Sequence, residues 1–417
     1  MEKALLKKAA IQSVVLMLCV ILLSVAMKQY NSVAISASYI EDISPISYTN
    51  IQEINQEPIE EVEPVIITED TVISVEPSFM FTGIEVDINK DILELLGEQF
   101  LIIRKPQGGS IQLQMEDLFI SRQLKLTISG FMEETLDNSC IGRINKEEVF
   151  LGNPVYIEKE IQNEDDTAEL VRDYGNDPVH EIQITGLTDD LGYSIVEVML
   201  LLDHVYVHYL FEDEYYYYID LKRPREVYDR ILVIDAGHGG KDPGAVSKDE
   251  LTYEKELNLG IVLKLKELLD KENIKVYYTR INDDKIFLRP RVNLANDVDC
   301  DFFISVHNNT NVISKKINGT EILYYDYERK NIKSKDMAKI FSEEISKTTA
   351  LKNNGLVQMR NDDVLILNHA EVPAILVEGG YLSNQKDLEY LQSSDGQAAL
   401  AEGIYKGILR AYDELMP

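Results

Sequence analysis

The chain has few cysteines and fewer basic than acidic residues. Each of these features excludes some classes of protein. Its three cysteines, Cys19, Cys140 and Cys300, lie far apart among 417 residues, which excludes a disulfide framework and a CxxC metal knuckle. Only 41 lysines and arginines stand against 72 acidic residues, a formal charge of −31 that repels phosphate backbones, so no nucleic-acid partner is expected. Hydrophobic residues make up 45% of the chain, which excludes collagen-like and wholly disordered classes. Stability must therefore come from hydrophobic cores.

The N-terminal part contains one long uncharged stretch. Residues 9–27 would form a helix about 28 Å long, at ~1.5 Å per residue, which is close to the thickness of a bilayer's hydrocarbon core. Lysines precede this stretch and the chain beyond it is acidic, so the positive-inside rule predicts that residues 1–28 are a cytoplasmic N-terminus and a transmembrane signal anchor. A cleaved signal peptide is the alternative, because Ser24-Val25-Ala26 resembles a cleavage site. Either way, the rest of the chain is expected outside the cytoplasm.

The next two segments differ in pattern. Residues 29–78 scatter acids and prolines among isolated apolar residues without a period, which predicts an acidic, extended linker. Residues 79–227 contain short alternating runs separated by turn residues, which predict a small β-rich domain. Its last runs hold His204, His208 and the tyrosines 215–218. A β-hairpin with aromatic pairs, a tyrosine platform for glycans, and a metal role that lacks a third ligand are the alternatives.

Residues 228–417 change to strands that alternate with helices. This order predicts an α/β domain, an open and mostly parallel sheet with helices on both faces. The strands are expected at 231–237, 274–279, 301–307, 320–325 and 373–379, and the helices at 253–272, 333–349 and 396–415. This segment is nearly balanced in charge, with 25 basic and 31 acidic residues, so the acidity belongs mainly to the linker and the β-rich domain.

Polar residues stand at the carboxyl ends of three of these strands, where function gathers in such sheets. They are His238, His307 and Glu378. Two imidazoles and one carboxylate are the ligand set of a hydrolytic zinc site with a fourth position open to water, and such a site also needs a carboxylate to carry protons. Glu254, which begins a helix, and Glu378, which ends a buried strand, are the candidates for these two roles. The apolar surroundings of Glu378 favour it for the acid/base role.

Five blocks in order then carry a family resemblance. The blocks IDAGHGGKDPGA, YEKELNL, YTRINDDKIFLRPRVNLAN, FFISVHNN and LVEGGYLSN resemble those of the zinc-dependent N-acetylmuramoyl-L-alanine amidases of the type-3 cell-wall amidase family. The resemblance implies that His238, Glu254 and His307 bind one zinc ion and that Glu378 is the catalytic acid/base. Asn309 and Arg291 match recurring positions that orient substrate or local structure. Small departures from the family pattern, such as Ala236 and Asn308, remove none of these four residues.

One more histidine is a candidate substrate contact. His369 lies on a loop just before the strand of Glu378, and a solvated loop histidine is the alternative.

The resemblance implies an enzyme that hydrolyses the amide between N-acetylmuramic acid and the L-alanine of peptidoglycan. The expected location is the cell membrane, single-pass, with the catalytic domain facing the cell wall and the β-rich domain resembling wall-targeting domains. Two alternatives are kept: a catalytically silent wall-binding or activator module, and a zinc amidohydrolase of small acyl-amino acids. The sequence does not say whether a regulatory protein partner controls access to the site.

Overall fold

The structure, a computed structural model, describes residues 78–81, 84–87, 90–106, 111–131, 136–146, 148–162, 168–189, 192–248, 250–360 and 363–416. The predicted membrane anchor, the cleavage-site alternative and the predicted linker up to residue 77 lie outside these residues. Within the described ranges, no helix combines the length and the apolar character needed to cross a membrane.

The first part of the described chain is almost entirely antiparallel β structure. Its strands are β1 (Ser78–Phe81), β2 (Ile84–Asp87), β3 (Gln99–Arg104), β4 (Gln112–Leu118), β5 (Gln123–Phe131), β6 (Ile141–Asn145), β7 (Glu148–Phe150), β8 (Ile157–Gln162), β9 (Ala168–Asp173), β10 (Val179–Thr188), β11 (Ser194–Leu202), β12 (Val207–Glu212) and β13 (Tyr216–Lys222). Two short helices accompany them, α1 (Lys90–Leu93) and α2 (Pro224–Val227). The two largest sheets of this first part are a four-stranded sheet, in the order β10-β11-β5-β4, and a five-stranded sheet, in the order β12-β13-β3-β6-β7.

These two sheets pack face to face around one hydrophobic core. Alternate residues of β5 and β11, among them Leu124, Leu126 and Val198, meet Leu101 and Ile219 of the other sheet, and all are at most 1% exposed. The alternation of apolar and polar residues that predicted a β-rich domain therefore produces a β-sandwich.

The structure contradicts the alternative that the tyrosines form a platform for glycans. Tyr216, Tyr217 and Tyr218 of β13 are only 2%, 3% and 0% exposed. Tyr217 enters the sandwich core, while Tyr216 and Tyr218 pack on the opposite face against Ile102 and α1. The strand is thus covered on both faces, and these three rings cannot stack on a sugar. Of the four tyrosines only Tyr215, which precedes the strand, is exposed, at 51%, so they form no platform.

The second part is the expected α/β unit. Its strands are β14 (Ile231–Ala236), β15 (Lys275–Tyr278), β16 (Phe302–Asn309), β17 (Thr320–Tyr324), β18 (Glu328–Arg329), β19 (Ile332–Lys333), β20 (Asn353–Gln358) and β21 (Ala374–Tyr381). Its helices are α3 (Glu254–Leu269), α4 (Leu288–Asp297), α5 (Ser334–Thr348), α6 (Leu365–Asn368), α7 (Gln385–Gln392) and α8 (Ser394–Leu415). Six strands form the sheet in the order β15-β14-β16-β21-β17-β20. All neighbouring pairs are parallel except β17 with β21.

Helices cover both faces of this sheet, because its central strands are apolar on both sides. In β14, Leu232 and Ile234 pack with α3, α5 and α8, whereas Ile231 and Val233 pack with α4 and α6. Parallel strands buried in this way place their carboxyl ends together at one edge, where β14, β16 and β21 end side by side.

The β-sandwich and the α/β unit belong to one compact unit and share contacts on the α4 face. Arg122 forms a bidentate ion pair with Asp297 at the end of α4, with Nη2 2.7 Å from Oδ1. The rings of Phe119 and Tyr277 meet edge to face with centroids 5.3 Å apart. Val205 is buried in the core of the α4 face. These contacts lie on a face of the sheet and leave its carboxyl edge to the residues described next.

Candidate metal centre

The first site residue, His238, lies in a glycine turn directly after β14. Its backbone has φ 62°, a left-handed conformation that a non-glycine residue adopts only when its surroundings hold it there. Arg291 supplies that support, since its Nη2 donates to the carbonyl of His238 at 2.7 Å and its Nη1 donates to that of Ala236 at 2.8 Å. The imidazole is therefore held at the end of the sheet by its own backbone.

Glu254, the second residue, begins helix α3 and is 4% exposed. Its Oε2 accepts a hydrogen bond from the backbone N–H of Ala245 at 2.8 Å, and its Oε1 accepts one from that of Asn308 at 3.1 Å. Asn258, one turn further along α3, donates to Oε1 at 3.3 Å. These donors fix the carboxylate between the loop that follows β14 and the end of β16.

The two histidines converge on this carboxylate. The Nε2 of His238 is 3.2 Å from Oε2 of Glu254, and Nδ1 of His307, on β16, is 2.9 Å from Oε1. The three residues form the one cluster among the described residues whose His, Cys, Asp and Glu ligand atoms lie close enough for a metal, all within 4.8 Å of one another. Strand order and the helix start therefore bring together the three predicted ligands.

Two glycines make room for the cluster. A Cβ on Gly237 would lie 2.2 Å from Nε2 of His307, and one on Gly244 would lie 2.6 Å from Oε2 of Glu254. Both distances are below van der Waals contact, so these positions tolerate no side chain without moving a ligand.

The donor set fits zinc. Two imidazole nitrogens and a carboxylate are zinc ligands, and a site of three protein ligands leaves one coordination position open. The Nδ1 of His238 is 2.9 Å from Oδ2 of Asp242, a carboxylate that orients the ring and leaves Nε2 for a metal. Burial raises the pKa of Glu254, but the neighbouring His238 and His307 outweigh it and hold the pKa below its usual range. Glu254 is thus ionised, as a ligand must be.

Glu378 lies beside the cluster on β21. It is paired with His307 of β16 in the parallel register of the two strands, so both side chains occupy the same face of the sheet. Its Oε2 is buried and has no hydrogen-bond partner among the described residues. Burial, together with the charges of Glu254 and Glu321, raises the pKa of Glu378 to about 8. An unpartnered carboxyl with a pKa near neutrality is suited to carrying a proton.

Arg291 is 2% exposed and does not face a substrate. Its guanidinium donates to the carbonyls of Ile286, Ala236 and His238 and to Oδ1 of Asp235, which occupies its Nε, Nη1 and Nη2. Of the two roles left open by the sequence, these contacts favour local structure.

The other two candidate substrate residues lie at opposite ends of the sheet. Asn309 ends β16, and its carbonyl accepts a hydrogen bond from Leu382 N at 2.8 Å, next to the site. His369 precedes β21 and its carbonyl accepts a hydrogen bond from Asn296 Nδ2 at 3.1 Å. His369 is exposed and directly follows helix α6, five residues before β21 begins. It therefore lies at the amino-terminal edge of the sheet, outside the site. The solvated-loop alternative describes it correctly.

Two residues of the site had not been predicted. Asn258 donates to the carbonyl of Gly237 at 3.1 Å and accepts a hydrogen bond from Asn308 Nδ2 at 2.7 Å. Its spacing of four residues from Glu254 on a helix was the available signal.

Glu321 of β17 lies opposite Glu378 in the antiparallel register. No sequence signal gives that register, because β17 could have joined the sheet elsewhere.

Comparisons with known proteins cover the C-terminal part of the chain. The profile of the Amidase_3 family, N-acetylmuramoyl-L-alanine amidase, matches residues 232–410. The N-acetylmuramoyl-L-alanine amidase CwlM of Bacillus licheniformis is 31% identical over 184 residues, 44% of this chain and 68% of its own. The catalytic domain of the amidase CwlV of Bacillus (Paenibacillus) polymyxa var. colistinus is 34% identical, with 44% of this chain and 98% of that one covered and a TM-score of 0.41. The CwlD amidase of Clostridioides difficile, solved in complex with the GerS lipoprotein, is 30% identical, with 44% and 99% covered and a TM-score of 0.41.

Proposed function

This chain belongs to the N-acetylmuramoyl-L-alanine amidase family, and we propose that it hydrolyses the amide between the lactyl group of N-acetylmuramic acid and the L-alanine of the peptidoglycan stem peptide. Family membership makes the chain an amidase, and the bond cleaved is the one that defines this enzyme class. The observation that carries the proposal is the meeting of His238, Glu254 and His307 beside Glu378 at one edge of the sheet.

We propose that His238, Glu254 and His307 hold a single zinc ion. When bound, zinc would polarise the scissile carbonyl and lower the pKa of a water molecule in the open position. The chain's own contribution is to fix these ligands: the Asp242 carboxylate orients His238, and three N–H donors hold Glu254.

Glu378 would act as the acid/base. It accepts a proton from the attacking water as the C–O bond forms, and it delivers that proton to the departing nitrogen as the C–N bond breaks. An amine leaves only after it gains a proton, so one carboxyl can serve both steps. The pKa of Glu378, raised by burial and neighbouring carboxylates to about 8, makes both of its protonation states accessible near neutral pH.

The opposite pKa shifts of the two glutamates support this division of roles. Glu254 is kept ionised by two histidines, whereas Glu378 is pushed towards its protonated form by burial. Pairs of carboxyls whose surroundings separate their pKa values in this way divide ligand and proton-carrier roles in enzymes.

The test is the release of stem peptides from purified peptidoglycan, followed by mass spectrometry. Glu378→Gln keeps the shape of the side chain and removes its proton transfer, so the rate is expected to fall by about 10²- to 10⁴-fold. The matched control is Glu371→Gln, an exposed glutamate just before the same strand, which should keep its rate. Full activity of Glu378→Gln would refute the acid/base role.

Metal content tests the zinc proposal independently of activity. The purified protein should contain about one zinc per chain by mass spectrometry, and His307→Ala should contain almost none. Zinc retained at full stoichiometry by His307→Ala would contradict the proposed ligand set.

Two other functions are less well supported. A silent binding module would be expected to lack a ligand or the acid/base, whereas all four residues are present and adjacent. An amidohydrolase of small acyl-amino acids would be expected to have a closed cavity, whereas a groove of about 740 Å³, lined by Leu382 and Ser383, lies directly after the end of β21. Product masses from peptidoglycan and from acyl-amino acids would separate these functions.

We also propose that residues 9–27 anchor the protein in the membrane, with residues 29–78 as a linker and residues 228–417 facing the wall. Cell fractionation provides the test. The full chain should sediment with membranes and be accessible to external protease, and deletion of residues 9–27 should abolish the membrane fraction. A full chain recovered in the cytosol would refute this arrangement.

Residues 79–227 are proposed to be a wall-targeting domain. The full-length Glu378→Gln protein should sediment with insoluble peptidoglycan, and a chain that starts at residue 228 should sediment less. Cooperative unfolding of the shortened chain would show that it is folded. Equal sedimentation of the two proteins would remove the targeting role.

A further inference from the structure

A groove lies beyond the metal centre, between the loop that follows β16 and the start of helix α7. Its walls include Lys315 and Lys316 from the loop that follows β16, and Leu382 and Lys386 from the segment that ends β21 and begins α7. Lys248 comes from the loop that leads to Glu254. The volume of the groove is about 740 Å³, which is large enough for several peptide residues.

Hydrogen bonds between the two walls fix the shape of the groove. The backbone N–H of Asn311 donates to Ser383 Oγ at 2.9 Å, and the side chain of Asn384 donates to the carbonyl of Lys315 at 2.8 Å. The carboxylate of Asp387 accepts from the backbone N–H of Gly319 at 2.7 Å. The groove is therefore formed before any ligand binds, which lowers the entropic cost of binding.

The charge of the groove is opposite to that of the protein. Four lysines line it, no acidic residue does, and the chain as a whole carries −31. These lysines form no ion pair with the described residues, and all four are exposed. The one nearby buried carboxylate, Asp387, is directed inward to Gly319 and Tyr381. A cluster of unpaired ammonium groups on an acidic protein attracts an anionic ligand.

One end of the groove lies next to the metal centre, and its lysines lie farther out. Leu382, a lining residue, donates to the carbonyl of Asn309, two residues beyond His307, whereas Lys315 and Lys386 each follow His307 and Glu378 by eight residues. A stem peptide that leaves the scissile amide in an extended form advances ~3.5 Å per residue. Its fourth residue would then reach about 14 Å, and its second only about 7 Å.

We propose that this lysine groove binds the stem peptide of the substrate through the free carboxylate near its C-terminal end. The inference rests on the proposed function, since it takes the scissile amide to lie beside Glu378. It makes the enzyme selective for long, anionic stem peptides, and it assigns Lys315, Lys316, Lys386 and Lys248 to specificity rather than to chemistry.

The test compares two muramoyl-tetrapeptides, one ending in a free carboxylate and one in a carboxamide. The wild-type enzyme should have the higher kcat/KM on the acid, mainly through a lower KM. In Lys315→Gln/Lys386→Gln, which removes one charge from each wall, the acid-to-amide ratio should fall about fivefold, as expected for two exposed ion pairs. With muramoyl-dipeptides, whose carboxylate would reach only about 7 Å from the scissile amide and should not meet the lysines, acid and amide should be cleaved alike by both proteins.

A matched control removes the same charge elsewhere. Lys335→Gln/Lys339→Gln lies on the exposed side of helix α5 and should keep the wild-type ratio. A ratio lowered equally by both double variants would mean that net charge, not the groove, selects the acid, and would overturn the proposal. An equal kcat/KM for acid and amide in the wild type would also overturn it.

Two further outcomes separate this inference from its rivals. If the wild type cleaves neither tetrapeptide, the proposed function itself fails. If acid and amide are cleaved equally but poly(glycerol phosphate) inhibits the wild type and not Lys315→Gln/Lys386→Gln, the groove binds a phosphate polymer and the peptide assignment is wrong.

Discussion

Glu321 lies directly opposite Glu378 across the antiparallel pair β17–β21. The two carboxyls share one face of the sheet, and the charge of Glu321 is one of the causes, after burial and the charge of Glu254, that raise the pKa of Glu378. Asn354 donates to Oε1 of Glu321 at 3.3 Å, which helps to hold it in place. Glu321 is therefore a positioning residue for the proton carrier and touches neither metal nor water in the proposed reaction.

Replacing Glu321 with Gln should shift the pH dependence of the enzyme. The negative charge of Glu321 disfavours the ionised form of Glu378, so its removal lowers the pKa of Glu378. The acidic limb of the kcat/KM profile, where Glu378 must lose its proton to act as a base, should move to lower pH. A pH series on a soluble muramoyl-peptide measures this shift.

The control for this change is Glu328→Gln, an exposed glutamate on β18 of the same domain. Its profile should coincide with that of the wild type. If Glu321→Gln lost activity at every pH without a shift, Glu321 would be only structural.

The ligands could be predicted from the sequence because strand ends are visible in it. A buried run such as ILVIDA followed by Gly-His-Gly shows where β14 stops, and parallel strands bring such ends together. Glu321 could not be found in this way, since its role depends on β17 running antiparallel to β21. Helix α4 was not predicted either, because its sequence LRPRVNLAND contains Pro290 and little apolar periodicity.

Two other expectations failed for reasons of packing. The tyrosines 215–218 were considered as a glycan surface, but three of them lie in β13, which has a neighbouring strand on each side, and helix α1 covers its outer face. His369 seemed close to Glu378 because it lies nine positions earlier in the chain. Strand β21 lies between them, and at ~3.3 Å per residue it separates loop from site by more than about 13 Å.

Asp242 should contribute to metal affinity without being a ligand. It is 2.9 Å from Nδ1 of His238 and orients that ring, so Asp242→Asn should weaken zinc binding by about 10- to 100-fold. Competition with a chromophoric chelator measures this directly. Asp326→Asn, an exposed aspartate elsewhere in the domain, is the control and should bind zinc as the wild type does. An unchanged affinity of Asp242→Asn would remove its orienting role.

Gly237→Ala should disrupt the centre although it adds only a methyl group. The new Cβ would lie 2.2 Å from Nε2 and from Cε1 of His307, so the ring must move. A ligand displaced by about 1 Å can reduce turnover by roughly 100-fold, and zinc content should fall with it. Gly186→Ala, whose Cβ would meet nothing within 4 Å, is the matched control and should keep both. Wild-type zinc content and rate in Gly237→Ala would show that the site is looser than its geometry suggests.

His208, in the β-sandwich, should make the stability of the protein depend on pH. Its side chain is 7% exposed, and burial lowers its pKa to about 4. Because the folded pKa lies below the unfolded value of about 6.5, the contribution of His208 is present above pH 6.5 and is lost as the pH falls towards 4. Between pH 7.5 and pH 5 this loss amounts to about 2 kcal/mol of the free energy of unfolding. Urea unfolding at the two pH values measures it.

The His208→Gln variant isolates this contribution, because neighbouring Asp117 acts in the opposite direction. Burial raises the pKa of Asp117 to about 6, so its contribution to stability grows as the pH falls, in wild type and variant alike. Relative to the wild type, His208→Gln should therefore lose about 2 kcal/mol less between pH 7.5 and pH 5. His369→Gln removes an exposed histidine and should behave as the wild type does. If His208→Gln kept the full pH dependence of the wild type, His208 would titrate normally, and the β-sandwich would be open to water at that position.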